Sequence, residues 1–312
     1  MLRPVSKRCI QCTHISKRRF STSEFSVTVR SSLGKTTPYV KGWVWQHVLL
    51  EKRLQHLRQS NSHVNIQDND WLLLFEHDSV YTLGRGASEE HLKFLTNEDN
   101  EALERLSKKY RGDNAARLQL RSKIQSSEEN DDQQVQALIE GGIIQDTPVY
   151  APNNAPIYRI ERGGEVTYHG PGQLVLYPML NLRRAPYQQD LHWYLRQIEE
   201  VIIRTLRQYG IESNRDEINT GVWVGSNKIA AVGVSSSRWI TTHGCALNVK
   251  PNLEFFNKEI ITPCGIEERD VTSLYDLMGD DCPSVQEVAG VVVQSFGDVF
   301  GVDMTEGNSM QT

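Results

Sequence analysis

The chain reads as mixed helix and strand, with helical and strand-like segments interleaved along its length. Tyr39 to Leu57 places apolar residues at Val40, Trp43, Val44, Val48, Leu54 and Leu57, with a polar interruption at Glu51, which is a mostly helical period. Trp71 to Phe75 and Val80 to Leu83 are short apolar, β-rich runs parted by Glu76 to Ser79, as expected of two buried strands. Asp190 to Tyr209 brings Leu191, Tyr194, Leu195, Ile198, Val201, Ile202, Leu206 and Tyr209 to one helical face, with Gly210 as the stop signal.

The remaining elements follow in order. Val222 to Val224 and Lys228 to Val234 flank Gly225-Ser226-Asn227, the chemistry of a hairpin. Ile240 to Val249 reads as a further strand, and Ser284 with Glu287 three residues on is a capping box that opens a helix through Phe300. Between Ala87 and about Pro156 the composition shifts to charge, with Lys108-Lys109 and a polar run from Ser126 to Gln134 that has no period. That segment is expected to be a solvated, partly disordered insertion within the domain. The residues from Met304 to Thr312 are polar and expected to fray as a disordered tail.

A length of 312 residues allows one large domain or two small ones. No long uninterrupted apolar run is present, so no membrane span is expected. Arg3, Lys7, Arg8, Lys17, Arg18 and Arg19 all precede the first acid, Glu24, among interspersed serines and threonines. Residues 1–23 therefore read as a mitochondrial presequence, with a domain over 24–303 and delivery to the mitochondrial matrix. Losing those six cations would take a formal charge of −5 further negative, which argues against nucleic acid as a partner. Of the cysteines Cys9, Cys12, Cys245, Cys264 and Cys282, only Cys9 and Cys12 have zinc-like spacing. No second pair accompanies them, so no metal site is expected.

Three blocks carry chemistry. The first, Arg162-Gly-Gly-Glu-Val-Thr-Tyr-His-Gly-Pro-Gly-Gln173, sets glycines, an arginine and a histidine around a short extended core. Ordinary turns would explain the glycines, but not Arg162 and His169 bracketing one strand with a permanent cation and a group that titrates near neutrality. The second runs from Gly221 to Gly233 and contains Lys228, placed just past a turn at the start of an apolar strand. An ammonium there would be partly desolvated, although a surface lysine at a hairpin tip fits the same residues. The third comprises His243 to Val249 and then Pro263-Cys264-Gly265, where the proline fixes the backbone before the thiol and the glycine leaves space after it. Pro-Cys-Gly alone is more often a buried turn, and a free thiol, with pKa about 8.5, needs a cationic neighbour to ionise near pH 7.

In order and approximate spacing these blocks resemble the signature of the lipoyl(octanoyl) transferases, over roughly Trp71 to Arg85 and Tyr158 to Leu274. The resemblance implies a single α/β domain with a central mixed sheet flanked by helices, similar to biotin and lipoate protein ligases. It implies that Cys264 forms an acyl-thioester and that Lys228 lowers the thiol's pKa and serves as acid and base. It also implies a substrate pocket at Arg162, Gly163, Gly164, Glu165, Val166, Thr167, Tyr168 and His169, at Ala231, Val232 and Gly233, and at Gly244, Cys245 and Ala246. His169 and His243 are candidate polar contacts that would equally serve as structural histidines, and Cys245 inside a strand reads by itself as a buried small residue.

The implied partners are octanoyl-acyl carrier protein as donor, and the lipoyl domains of 2-oxoacid dehydrogenase E2 subunits and of the glycine cleavage H protein as acceptors. No cofactor is expected. Two departures from bacterial relatives stand out: Ser235 to Thr242 replaces a more basic stretch, and Cys245 takes a position commonly leucine. The basic pair Arg183-Arg184, on an otherwise acidic chain, is a candidate contact for an acidic carrier. The rival expectations are an ATP-dependent lipoate or biotin ligase, which needs no nucleophilic cysteine, and a non-catalytic carrier-binding homologue.

Overall fold

The computed structural model describes residues 25–59, 69–96, 98–104, 106, 121–124, 130–141, 149–261 and 270–310. The segment 1–23, with Cys9 and Cys12, lies outside these residues, as does Cys264.

Eight strands form the large sheet in the order β12-β1-β2-β7-β11-β10-β9-β8. They are β1 (Ser26–Ser31), β2 (Asp70–Phe75), β7 (Gln173–Met179), β8 (Asn214–Arg215), β9 (Val222–Val224), β10 (Asn227–Ser237), β11 (Ile240–Asn248) and β12 (Asp303–Glu306). Parallel pairing of β1 with both β12 and β2, followed by antiparallel pairing from β2 onward, makes the sheet mixed. A smaller sheet, ordered β4-β5-β3-β6, holds β4 (Val149–Tyr150), β5 (Pro156–Arg159), β3 (Val80–Leu83) and β6 (Val166–His169). The two apolar runs read as buried strands, Trp71 to Phe75 and Val80 to Leu83, are both strands and belong to different sheets.

Why the strands of the large sheet read as continuous apolar runs is visible in their alternation. Leu72 and Leu74 enter one core while Leu73 and Phe75 enter another, and Leu174 and Leu176 alternate likewise with Val175 and Tyr177. A strand covered on both faces buries every side chain. The first core packs against α3 (Leu191–Gln208) and α5 (Val285–Phe300); the second packs against α1 (Tyr39–Gln59). Each fully buried aliphatic side chain there contributes roughly 2 kcal/mol. Glu51, the polar interruption in α1, is buried and pairs with Arg58 at 3.8 Å.

The helix ends follow the expected chemistry. Asp190 caps α3 through His192 and Trp193 N–H, and Ser284 with Glu287 forms the capping box of α5. A short helix α4 (Leu274–Met278) opens on a second capping box, Ser273 with Asp276.

Two expectations fail. Within the insertion, Asn130 caps a helix α2 (Asp131–Glu140) that buries Gln134, Val135 and Leu138, and so belongs to the fold rather than to solvent. Its first-turn acids are paired, Asp131 with Arg30 at 3.1 Å and Lys52 at 2.6 Å, and Asp132 with Arg30 at 3.2 Å. The C-terminal segment does not fray from Met304: β12 completes the sheet edge through backbone pairing with β1, and Met310 is buried, its N–H donating to Ser31 O.

Candidate active site

Where the two sheets meet, a cavity of about 160 Å³ opens between residues from all three sequence blocks. Arg162, Gly164, Glu165, Val166, Thr167 and His169 line it from the first block, Lys228, Ala231, Val232 and Gly233 from the second, and Gly244, Cys245 and Ala246 from the third. The register explains the convergence: β10 and β11 are neighbours, with Ala231 opposite Ala246, Val232 opposite Cys245 and Gly233 opposite Gly244. The first block reaches them because Gly163 N–H donates to Val234 O across 2.9 Å. That approach requires Gly233, since a Cβ there would stand 2.8 Å from Gly163 O. Gly233 therefore lets backbone meet backbone, and with Gly164 and Gly244 it also lines the cavity.

Two predicted pocket residues do not line the cavity. Tyr168 turns into the core of the small sheet, stacked on Phe255 with centroids 4.6 Å apart and its hydroxyl 2.9 Å from Ser79 Oγ. Gly163 is spent on the bridge to β10. Conversely, Tyr39, Val175, Tyr177, Ile218, Asn219 and Thr220 line the cavity without having been foreseen, and His243, a candidate polar contact from the sequence, lines it as well. Val175 and Tyr177 share one face of β7, which directly continues the first block, and Ile218 to Thr220 directly precede Gly221; extending each block by a few residues would have found both groups.

The polar walls are organised from behind. Arg162 is buried, and its guanidinium donates to Thr82 O at 2.7 Å, Thr82 Oγ1 at 2.9 Å and Gly163 O at 3.0 Å, fixing the first block to β3. Glu165 meets His91 Nδ1 at 3.0 Å. His169 is held well below the usual histidine range, first by burial and then by His77 and the Arg162 cation. His243, at φ 58°, places Nε2 2.9 Å from Glu161, a carboxylate that also takes His47 Nε2 at 3.1 Å and the Trp43 indole N–H at 3.2 Å. Burial alone would raise the Glu161 carboxyl, but His47 and His243 outweigh it and hold it well below the carboxylate range.

Lys228 is buried, unlike a lysine at a hairpin tip. Its Nζ donates to Thr220 O at 3.1 Å and sits 4.7 Å from the centroid of the Trp223 ring. Its backbone is gripped on the side away from β9: Lys228 N–H donates to Asp270 O at 2.9 Å and Thr272 N–H donates to Lys228 O at 3.0 Å. The chain thus returns from the Cys264 segment directly onto the lysine. Cys245, by contrast, is a buried thiol raised by burial and by Glu199, which makes it a wall residue and not a nucleophile. Among the described residues no cluster of His, Cys, Asp or Glu could hold a metal ion, and no helix is long and apolar enough to cross a membrane. A cavity that sets Val175, Val232 and Ala246 beside polar groups, with an amine in its wall, suits a flexible acyl chain whose carbonyl carbon is to be attacked.

Comparison with known proteins agrees. The lipoyl protein ligase A/B catalytic domain profile matches residues 141–297, the span holding all three blocks. An octanoyltransferase of Nostoc sp. is 40% identical over 270 residues, covering 86% of this chain and 90% of that protein. One from Synechococcus elongatus is 41% identical over 264 residues, covering 83% of each. In fold, a lipoate-protein ligase A bound with ATP aligns with a TM-score of 0.53 at 16% identity, covering 91% of this chain and 89% of that one. The bipartite lipoate protein ligase of Thermoplasma acidophilum aligns with a TM-score of 0.53 at 15% identity, covering 90% and 87%. The ligases share the architecture, while the octanoyltransferases share sequence over most of their length. The chain belongs to the octanoyltransferase family and is an acyltransferase of that type.

Proposed function

We propose that this enzyme moves an octanoyl group from the thioester of acyl carrier protein to the ε-amine of a lysine on a lipoyl domain, by way of Cys264. The Cys264 thiolate attacks the carrier thioester carbonyl; the carbon–sulfur bond to the carrier breaks, and the departing thiolate takes a proton from Lys228. The acceptor amine then attacks the enzyme thioester, forming the amide and returning Cys264 as the thiolate while its surplus proton passes to Lys228. Thioester exchange is nearly balanced and amide formation runs downhill, so the reaction needs no ATP.

One observation carries this reading. The buried Lys228 amine stands in the wall of a cavity built by the three blocks, and its backbone anchors the segment that follows Cys264. Incubation with octanoyl carrier protein, without nucleotide, is expected to give an octanoyl mass adduct on the peptide bearing Cys264, absent in Cys264→Ser and slowed in Lys228→Ala. Labelling that requires ATP and survives Cys264→Ser would reassign the protein to ligase chemistry.

The acceptors we assign are the lipoyl domains of 2-oxoacid dehydrogenase E2 subunits and the H protein of glycine cleavage. The basic, acid-free residues 1–23 support delivery to the mitochondrial matrix. A reporter fused behind them that stayed in the cytosol would remove that assignment.

A further inference from the structure

We propose that Glu199 is a positioning residue for Lys228, acting through the single peptide unit between Thr220 and Gly221. The inference rests on the reading of Lys228 as the acid–base group. The carbonyl of that peptide, Thr220 O, accepts from Lys228 Nζ at 3.1 Å. Its N–H end, Gly221 N, donates to Glu199 Oε1 at 2.9 Å. The peptide dipole therefore lies between an ammonium and a carboxylate with both ends correctly directed. Flipping it would aim a carbonyl oxygen at the carboxylate and an N–H at the ammonium, so the acid fixes which way the peptide faces.

Glu199 is poorly explained as a helix residue alone. It is 0% exposed, on the face of α3 that otherwise carries Ile198, Ile202 and Leu206 into the core. A carboxylate there costs free energy unless it is paired and hydrogen-bonded. Its second oxygen takes Arg196 Nη1 at 2.9 Å and Arg215 Nε at 3.5 Å, but those side chains are 43% and 35% exposed and have no need of a buried partner. Gly221 supports the same interpretation. Its φ of +131° is open only to glycine, and a Cβ would stand 2.7 Å from Ala230 O and 3.2 Å from Lys228 Cε.

The Trp223 ring from β9 lies beside the amine, and the other titratable or charged groups lining the same cavity are Tyr39, Arg162, Glu165, His169, Tyr177, His243 and Cys245. Of the three ammonium donors, one is committed to Thr220 O, which sets the direction in which the others act. Glu199 thus reaches the reaction without touching substrate, and its loss is expected to alter the protonation and aim of Lys228 ahead of substrate affinity.

The test compares Glu199→Gln with Glu199→Leu in the full-length enzyme. It follows octanoyl-enzyme formation across pH, kcat and KM separately, and labelling of Lys228 by an amine-reactive reagent without substrate, read by peptide mass spectrometry. Glu199→Gln keeps an oxygen for Gly221 N–H and is expected to stay within about threefold of wild type with the same pH profile. Glu199→Leu is expected to lose at least about tenfold in kcat with KM for the carrier little changed, a displaced pH optimum and altered Lys228 labelling. Should Glu199→Leu not fold, Glu199→Asp, which keeps the charge but withdraws the oxygen from Gly221, carries the same expectation. A folded Leu or Asp variant with wild-type kcat, pH profile and labelling overturns the inference. Lys228→Ala run in parallel separates the two claims: if it acylates normally, the acid–base reading falls, while the labelling still reports whether Glu199 governs the amine.

Discussion

The Tyr177 hydroxyl donates to His77 Nε2 across 2.9 Å, because His77 Nδ1–H is already given to Thr37 O at 2.9 Å. That pair fixes His77 as a neutral ring in the wall behind the cavity, and burial lowers it from 6.5 to about 4. The folded value lies below the unfolded one, so between these limits the unfolded chain binds the proton more readily. Stability is therefore complete above about pH 6.5 and falls as pH drops toward 4, by about 3 kcal/mol for this group alone. Denaturant midpoints measured across that range should fall with acid in the wild type and fall less steeply in His77→Gln.

Glu161 governs the next stretch of the acid limb. Its carboxyl is depressed in the folded state, so the stability it supplies is present above about 4.5, the ordinary value, and is lost as pH falls below it. Glu161→Gln removes the charge that His47 and His243 face, and should cost on the order of 3 kcal/mol at neutral pH. It should also shrink the loss seen below pH 4.5, measured by chemical denaturation.

Ala231 lines the cavity opposite Ala246 and is only partly buried, so enlarging it removes space without opening a core. Ala231→Leu should reduce transfer from an eight-carbon thioester by roughly 10- to 100-fold while sparing shorter acyl groups. Competition between carriers loaded with different chain lengths reads the shift directly, and equal losses at all lengths would count against an acyl slot here.

Arg30 joins distant parts of the chain. It reaches Asp131 and Asp132 of α2 and Asn308 O near the C-terminus, and lies over the Trp45 ring at 4.4 Å. Arg30→Ala should destabilise by about 2 kcal/mol or more, because it takes the guanidinium from Asp132 and from Asp131, which keeps Lys52, and uncovers the indole. Asp132→Asn, which weakens a partly exposed contact to Arg30, should cost no more than about 1 kcal/mol. Thermal or denaturant unfolding of the two variants distinguishes them.

Where local chemistry decides the outcome, the sequence was legible. The capping residues Asp190 and Ser284, the turn at Gly225 to Asn227 and the double-sided burial of Leu72 to Phe75 all depend on neighbours a few residues away. The cavity was largely legible too, because its walls come from three short blocks, two on the paired strands β10 and β11 and the first bridged to β10 by Gly163. Helix α2 was not, since Asp131 and Asp132 look like solvated charges until Arg30, about a hundred positions away, is brought beside them. Nor was β12, which has no apolar alternation and is ordered by backbone bonds to β1 that no side chain announces. Tyr39 reaches the cavity wall only because α1 packs on the large sheet, a tertiary fact.

The parallel bridge between Lys228 and Val271 has an evolutionary corollary. Because the returning chain is keyed to the lysine itself, insertions or deletions ahead of Asp270 can lengthen or trim the stretch after Cys264 and leave the amine at its address. A slip of one residue here would instead turn over the buried Thr272 and displace the helix cap at Ser273. Natural variation in this family should accumulate on the first side of that bridge and avoid the second.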